Sequence, residues 1–361
     1  MKQQLVFGFV VVAQIAATAC VSETSSESLP ETVRLTRLLD VGCRSCSGPE
    51  AFSEIVAIGV DQNGDIYVLD RDAPHVRVFD SSGSVAWVGG VHGSGPGELN
   101  TPMYVTTLPT GIVGVVDGAR IVTYNREKGS LSSLRLPALP VTATTDPWRQ
   151  ELYLGTIDWS NMEVSLYSWR DPDPEARLLV PGLGFPLDGT GNQALSMSLA
   201  IGPSQTIAIG DGTLEYRIRL MNRAGEAIRD LTRDVPRLPK TESELAAEAA
   251  AYRRRVGLVT ARAGRAPGPA SEPPMDGWRS FFGPNALQYD GLGRLWVLTK
   301  RGTLAMTIFD VFSATGRFLG EVSLPVRATE FAIHHDYLVA AWFDSLDVSF
   351  ATLWRFDQTS R

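Results

Sequence analysis

The sequence predicts an all-β fold, a six-bladed β-propeller with a helical insertion between blades 4 and 5. Three observations predict it: a duplicated strand–turn–strand segment, a landmark that recurs six times, and a lone strand ahead of the first unit that can complete the last. Composition agrees, because 34 Gly and 22 Pro among 361 residues suit many short strands joined by tight turns.

The duplicated segment comes first. Val60-Asp-Gln-Asn-Gly-Asp-Ile-Tyr-Val-Leu69 and Tyr289-Asp-Gly-Leu-Gly-Arg-Leu-Trp-Val-Leu298 share Asp, Gly, an aliphatic residue, an aromatic and Val-Leu at identical offsets. Asp can accept from the amides ahead of it and Gly tolerates positive φ, so each segment reads as a strand, a tight turn and a second strand. The landmark is an apolar or aromatic residue followed by a polar turn residue and often a Gly. It stands at Phe79-Asp80, Tyr124-Asn125, Tyr167-Ser168, Met221-Asn222, Phe312-Ser313 and Phe356-Asp357, at intervals of 45, 43, 54, 91 and 44 residues. A unit of about 44 residues suits a four-stranded propeller blade.

The interval of 91 residues is about twice the unit and holds the insertion, at about 240–280. Thr241-Glu-Ser-Glu244 is a capping box, and Leu245, Ala249, Tyr252 and Val256 follow at helical spacing. The stretch 261–277 is rich in Pro and Gly. Residues 326–357 leave room for only three strands, so the strand at Thr32–Leu39 is expected to close the ring as the fourth, removing exposed edges.

Ahead of the propeller, Met1-Lys2, an apolar run from Leu5 to Ile15 and Ala17-Thr18-Ala19-Cys20 read as an export signal; the run is shorter than the roughly 20 residues a spanning helix needs. Small residues before Cys20 resemble a bacterial lipobox, which makes residues 1–19 a lipoprotein signal peptide and Cys20 the expected lipid anchor of a propeller held at the outer membrane. Ala17 stands where Leu is usual, and Ala17-x-Ala19 also suits plain cleavage and secretion. Residues 20–31, rich in Ser and Glu, read as a flexible tether and 32–361 as the propeller. Cys43 and Cys46, in a compartment of this kind, are expected to form a short-loop disulfide. Forty acidic residues against 33 Lys plus Arg give a net charge of -7, so nucleic acid is not an expected partner.

Gly89-Gly-Val-His-Gly-Ser-Gly-Pro-Gly-Glu-Leu99 with Thr101-Pro102 resembles the inter-blade signature of NHL-repeat propellers, and Asp290-x-x-Gly-x-Leu-Trp-Val297 resembles six-bladed propeller lipoproteins of bacteria. The resemblance implies the fold; its members include binding and catalytic proteins, so it does not choose a function. The peptidyl-hydroxyglycine lyases that share this fold place zinc on channel histidines, one just after the inter-blade Pro, where this chain has Met103. His334-His335 falls at the turn equivalent to Asp61–Gly64 and is expected at the surface.

Two functions are open. The first is a non-catalytic module, tethered to the membrane by its lipid, that binds a protein, peptide or glycan; Trp159, Trp278, Arg253 and Arg254 are candidates for its binding surface, and no cofactor is expected. The alternative is a calcium-dependent, lactonase-like hydrolase or lyase acting at the central channel, with Glu54, Asp158, Asn161, Asp211 and Glu330 as candidate ligands. No catalytic motif stands out, so no catalytic residue is nominated.

Overall fold

A computed structural model of the chain describes residues 33–72, 75–108, 111–126, 129–146, 148–158, 163–183, 196–246, 248–250 and 277–356. The expected signal peptide and the expected tether with Cys20, and also Trp159, Asn161, Arg253 and Arg254, lie outside the described residues.

Each sequence unit forms a four-stranded antiparallel sheet, and six such sheets are present among the described residues. Blade 1 consists of Ile55–Val60, Ile66–Asp70, Val76–Phe79 and Val85–Gly89; blade 2 of Pro102–Leu108, Ile112–Asp117, Arg120–Asn125 and Gly129–Arg135. Blade 3 consists of Leu139–Asp146, Glu151–Asp158, Glu163–Trp169 and Arg177–Val180; blade 4 of Ser198–Ile201, Ile207–Gly210, Arg217–Met221 and Ala227–Thr232. Blade 5 consists of Phe282–Tyr289, Leu295–Thr299, Thr307–Phe312 and Phe318–Leu324; blade 6 of Ala328–His334, Tyr337–Phe343, Ser349–Phe356 and Leu35–Val41. The first strands of successive blades neighbour one another around the axis.

Burial explains the strand sequences. Second strands such as Ile66–Asp70 and Leu295–Thr299 are buried on both faces, because each blade is sandwiched between two others, and they therefore read as continuous apolar runs. The outer strand Val85–Gly89 alternates instead. Trp296 shows how the layers lock: its ring lies 5.7 Å from Phe309 within the blade and 5.3 Å from Phe356 of the next.

The duplicated turns are built alike. Asp61 Oδ1 accepts the amides of Asn63 and Asp65 at 2.8 and 3.0 Å and its Oδ2 accepts from Tyr67 Oη at 2.9 Å. Asp290 Oδ1 accepts the amides of Leu292 and Arg294 at 3.0 and 2.9 Å and its Oδ2 accepts from Trp296 Nε1 at 2.9 Å. Gly64 and Gly293 supply the positive φ, 80° and 75°. The shared aromatic of the repeat is thus the donor to the shared Asp.

The first and last strands meet. Leu35–Val41 runs antiparallel to Ser349–Phe356, from Leu35 opposite Phe356 to Val41 opposite Ala351, and Thr352 Oγ1 donates to Asp40 at 2.6 Å. Blade 6 is therefore made from both ends of the propeller. Between blades 4 and 5, residues 242–246 and 248–250 are helical, and the capping box is formed: Glu244 N donates to Thr241 Oγ1 at 3.2 Å and Thr241 N to Glu244 Oε2 at 2.9 Å. At the base of the insertion Lys240 N donates to Gly277 O at 2.9 Å and Arg279 N to Leu238 O at 2.8 Å.

Two expectations change. The third strand of blade 3 runs on to Trp169, two residues past the Tyr167 landmark, because Trp169 is itself core at 2% exposure. His335 takes the surface turn with φ 50°, whereas His334 is drawn inward beside the axis.

Candidate ligand cleft and central channel

Antiparallel blades put the loops between second and third strands on the face where each first strand begins. The insertion reaches the same face, and between it and blades 5 and 6 lies a cleft of about 820 Å³. Lys240, Glu244 and Glu248 of the insertion line it on one side; Thr303, Leu304 and Met306 of blade 5 and Asp344, Ser345 and Asp347 of blade 6 line it as well. Arg279, Lys300 and Arg327 complete the lining between them.

Four basic and four acidic side chains line this cleft. Glu244 serves both Arg279, at 3.1 Å, and Arg327, at 3.7 Å, while Lys240 pairs with Glu248 at 2.7 Å. Lys300 makes no ion pair or side-chain hydrogen bond among the described residues. Its amine is held below the usual lysine range by desolvation, with Arg327 and Arg279 adding repulsion and Glu330 and Glu244 opposing it. Apolar tips stand at the rim: Leu304 is 81% exposed and Leu346 68%.

Below, the channel holds Glu330 on the first strand of blade 6. Its neighbour Asn285 sits in a bulge of the first strand of blade 5, where the register jumps from Phe282 opposite Thr299 to Leu287 opposite Val297. The backbone groups released by the bulge are taken up by blade 4, since Ser198 Oγ donates to Gly283 O at 2.6 Å and accepts from Ala286 N at 2.9 Å. Asn285, at φ 54°, is thereby fixed with its amide on Glu330. Burial raises the Glu330 carboxyl to about 8, against the smaller opposing pull of Lys300 and the Asn285 hydrogen bond. Tyr104 is pushed above the usual phenol range by burial, and its hydroxyl bonds Thr145 and Thr144. Thr106 and Thr145 share a short hydroxyl contact across blades 2 and 3.

At the far end, His334 faces a small cavity of about 40 Å³ with Thr107, Gln150 and Gln288. Its Nδ1 is buried and has no hydrogen-bond partner, and desolvation lowers the imidazole to about 4, with repulsion from His335 adding to it.

Of the nominated metal ligands that lie among the described residues, the structure brings Glu330 alone to the channel. Glu54 pairs with Arg71 at 2.6 Å, and Asp211 Oδ1 caps its own loop by accepting from Thr213 N and Oγ1, both at 2.9 Å. Asp158 ends a second strand, at an exposed position. Asp70, Asp117, Asp158, Asp211 and Asp344 all stand at or just after the end of a second strand; Asp211 and Asp344 cap their own loops, whereas Asp70 and Asp117 hold the approach to their blade's first strand. Asp70 Oδ1 accepts the amides of Ser53 and Glu54, and Asp117 Oδ1 those of Asn100 and Thr101. Among the described residues no three His, Cys, Asp or Glu side chains are grouped so as to hold a metal ion.

Trp278 is 49% exposed at the base of the insertion, opposite Pro239 in an antiparallel bridge. Cys43 and Cys46 stand as two thiols sharing a hydrogen bond, which lowers the pKa of Cys43 and raises that of Cys46. Sequence reasoning missed Asn285 and Lys300. Gly283-Pro-Asn285 carried a signal, since three poor strand formers inside a strand mark a bulge; Lys300 carried none.

Comparison with solved structures agrees with this architecture. A member of the DUF4221 family from Bacteroides vulgatus matches with a TM-score of 0.53 at 10% identity, covering 90% of this chain and 99% of that one. A Bacteroides fragilis protein described as a "putative exported protein" matches with a TM-score of 0.50 at 12% identity, over 93% and 98% of the two chains. The chain is an all-β, six-bladed propeller. Virginiamycin B lyase from Staphylococcus aureus overlays with a TM-score of 0.46 at 12% identity, covering 88% of each chain. At such identities the likeness concerns the fold. No family model and no curated protein sequence matches the chain.

Proposed function

We propose that this chain is an exported propeller, held at the outer membrane through a lipid on Cys20, that binds a protein, peptide or glycan in the cleft beneath its insertion. The observation that carries the reading is the cleft itself: about 820 Å³ assembled from blades 5 and 6 and the insertion, within the usual size range of ligand pockets. A disulfide between Cys43 and Cys46 is part of the same extracytoplasmic reading.

The test uses two exposed leucines on opposite ends of blade 5. A photo-crosslinking residue at position 304, on the cleft rim, is expected to yield a discrete adduct in cells; the same residue at position 292, in the opposite turn, is expected to yield none. Equal adducts at both positions, or none at 304, would sink the reading. Incorporation of labelled palmitate, lost in Cys20→Ala, tests the anchor.

A calcium-dependent hydrolase or lyase is favoured by one observation, the Glu330–Asn285 contact inside the channel. Under it, calcium raises the melting temperature and Glu330→Gln abolishes the rise; no calcium-dependent shift removes its support.

A further inference from the structure

We infer that the cleft takes a short peptide segment bearing a carboxylate flanked by apolar side chains, with Lys300 as the carboxylate anchor and the loop-tip leucines as the apolar contacts. The inference rests on the cleft being the binding site proposed above, and it narrows the ligand.

Three features converge. Arg279, Lys300 and Arg327 lie within electrostatic reach of one another, with Glu244 shared between the two arginines. Among the described residues Lys300 is left without an ion-pair partner, so an incoming carboxylate would complete a charged hydrogen bond there.

The rim supplies the second feature. Leu214, Leu304 and Leu346 occupy the loops between second and third strands of blades 4, 5 and 6, and are 65%, 81% and 68% exposed. Three consecutive blades thus present a leucine on the insertion face. Solvated loop tips do not need leucine, and exposed apolar residues grouped around a concavity mark an interaction surface.

Shape supplies the third. Leu304 lines the charged hollow and Leu346 lies between two residues that line it, so a flat apolar surface such as a bilayer would strand the charges beneath it, and a glycan would leave these leucines uncovered. An extended peptide satisfies both, placing an acidic side chain down and its neighbours on the rim.

The experiment is selection of random heptapeptides displayed on phage against the purified full chain. The expected result is enrichment of Asp or Glu flanked by Leu, Ile, Met or Phe. A synthetic peptide of the selected sequence should bind at least tenfold more weakly to Lys300→Ala, with Lys300→Arg largely retaining binding and Leu292→Ala, on the opposite face, unchanged. Leu304→Ser should weaken it independently of the charge. Circular dichroism melts of each variant guard against misfolding. Failure to recover peptides, enrichment without an acid, equal binding to Lys300→Ala, or preferential capture of vesicles containing phosphatidylglycerol each overturns the inference. The crosslink at position 304 reports on the cleft separately: an adduct there with no acidic preference refutes the ligand class and leaves the cleft standing.

Discussion

Trp296 donates its indole N–H to Asp290 across the first turn of blade 5, at 2.9 Å, with both side chains almost wholly buried. The same carboxylate takes the amides of Leu292 and Arg294 and pairs with the Arg294 guanidinium at 2.5 Å. Asp290→Ala leaves a buried indole N–H, two turn amides and a guanidinium without their acceptor. The expected cost is about 2–4 kcal/mol, read as a lower urea midpoint by tryptophan fluorescence. Asp61→Ala, at the equivalent turn, should cost less because Tyr67 can rotate its hydroxyl toward another acceptor.

Asp70 and Arg77 form a more deeply buried pair, 2.7 Å apart with side-chain exposures of 0% and 6%. Asp70 also accepts from Ser53 Oγ and the Ser53 and Glu54 amides, which fixes the approach into blade 1. Removing Asp70 alone strands the guanidinium, and Asp70→Ala is expected to destabilise by about 3–5 kcal/mol. Asp70→Ala combined with Arg77→Met should recover part of the loss, and equilibrium unfolding of the single and double variants measures it.

Glu330 and His334 lie on one strand and give stability opposite pH dependences. Glu330 rises from 4.5 to about 8 on folding, so the folded state keeps a proton that the unfolded chain releases; its effect is to lose stability as pH climbs from 4.5 to about 8. His334 falls from 6.5 to about 4, so the unfolded chain takes up a proton first and stability is lost as pH drops from 6.5 to about 4. Glu330→Gln should flatten the alkaline limb of a melting-temperature profile, and His334→Gln the acidic limb. Profiles superimposable on the parent would contradict both assignments.

Closure of the ring predicts the behaviour of a truncation. Deleting residues up to Val41 strips the fourth strand from blade 6 and exposes the edge of Ser349–Phe356. The shortened chain is expected to unfold at lower temperature and to aggregate at concentrations where the full chain stays monodisperse, which light scattering reports. Added peptide spanning residues 33–42 should suppress the aggregation.

Much of this architecture was legible because propeller blades repeat, and repetition brings turn chemistry back at fixed offsets. Asp61 and Asp290, with Tyr67 and Trp296, stand out as a pair in the sequence, and the strand that closes blade 6 follows from a shortage of residues in the last unit. The site was less legible. Its parts come from blade 5, blade 6 and the insertion, which local patterns do not connect, and Lys300 looks like any lysine after a strand. The nominated acids are hard to sort for the opposite reason. Asp211 stands where Asp recurs at the end of a second strand, and there its carboxylate caps its own loop.

The two ends of the insertion meet in a small ladder, with Lys240 bonded to Gly277 and Arg279 to Leu238. A segment whose ends already touch asks nothing of the ring that carries it. Its length and sequence can drift, or be exchanged outright, while the six blades keep their register. The propeller therefore behaves as a socket: if the cleft binds as proposed, replacing that one wall changes what is recognised without renegotiating the core.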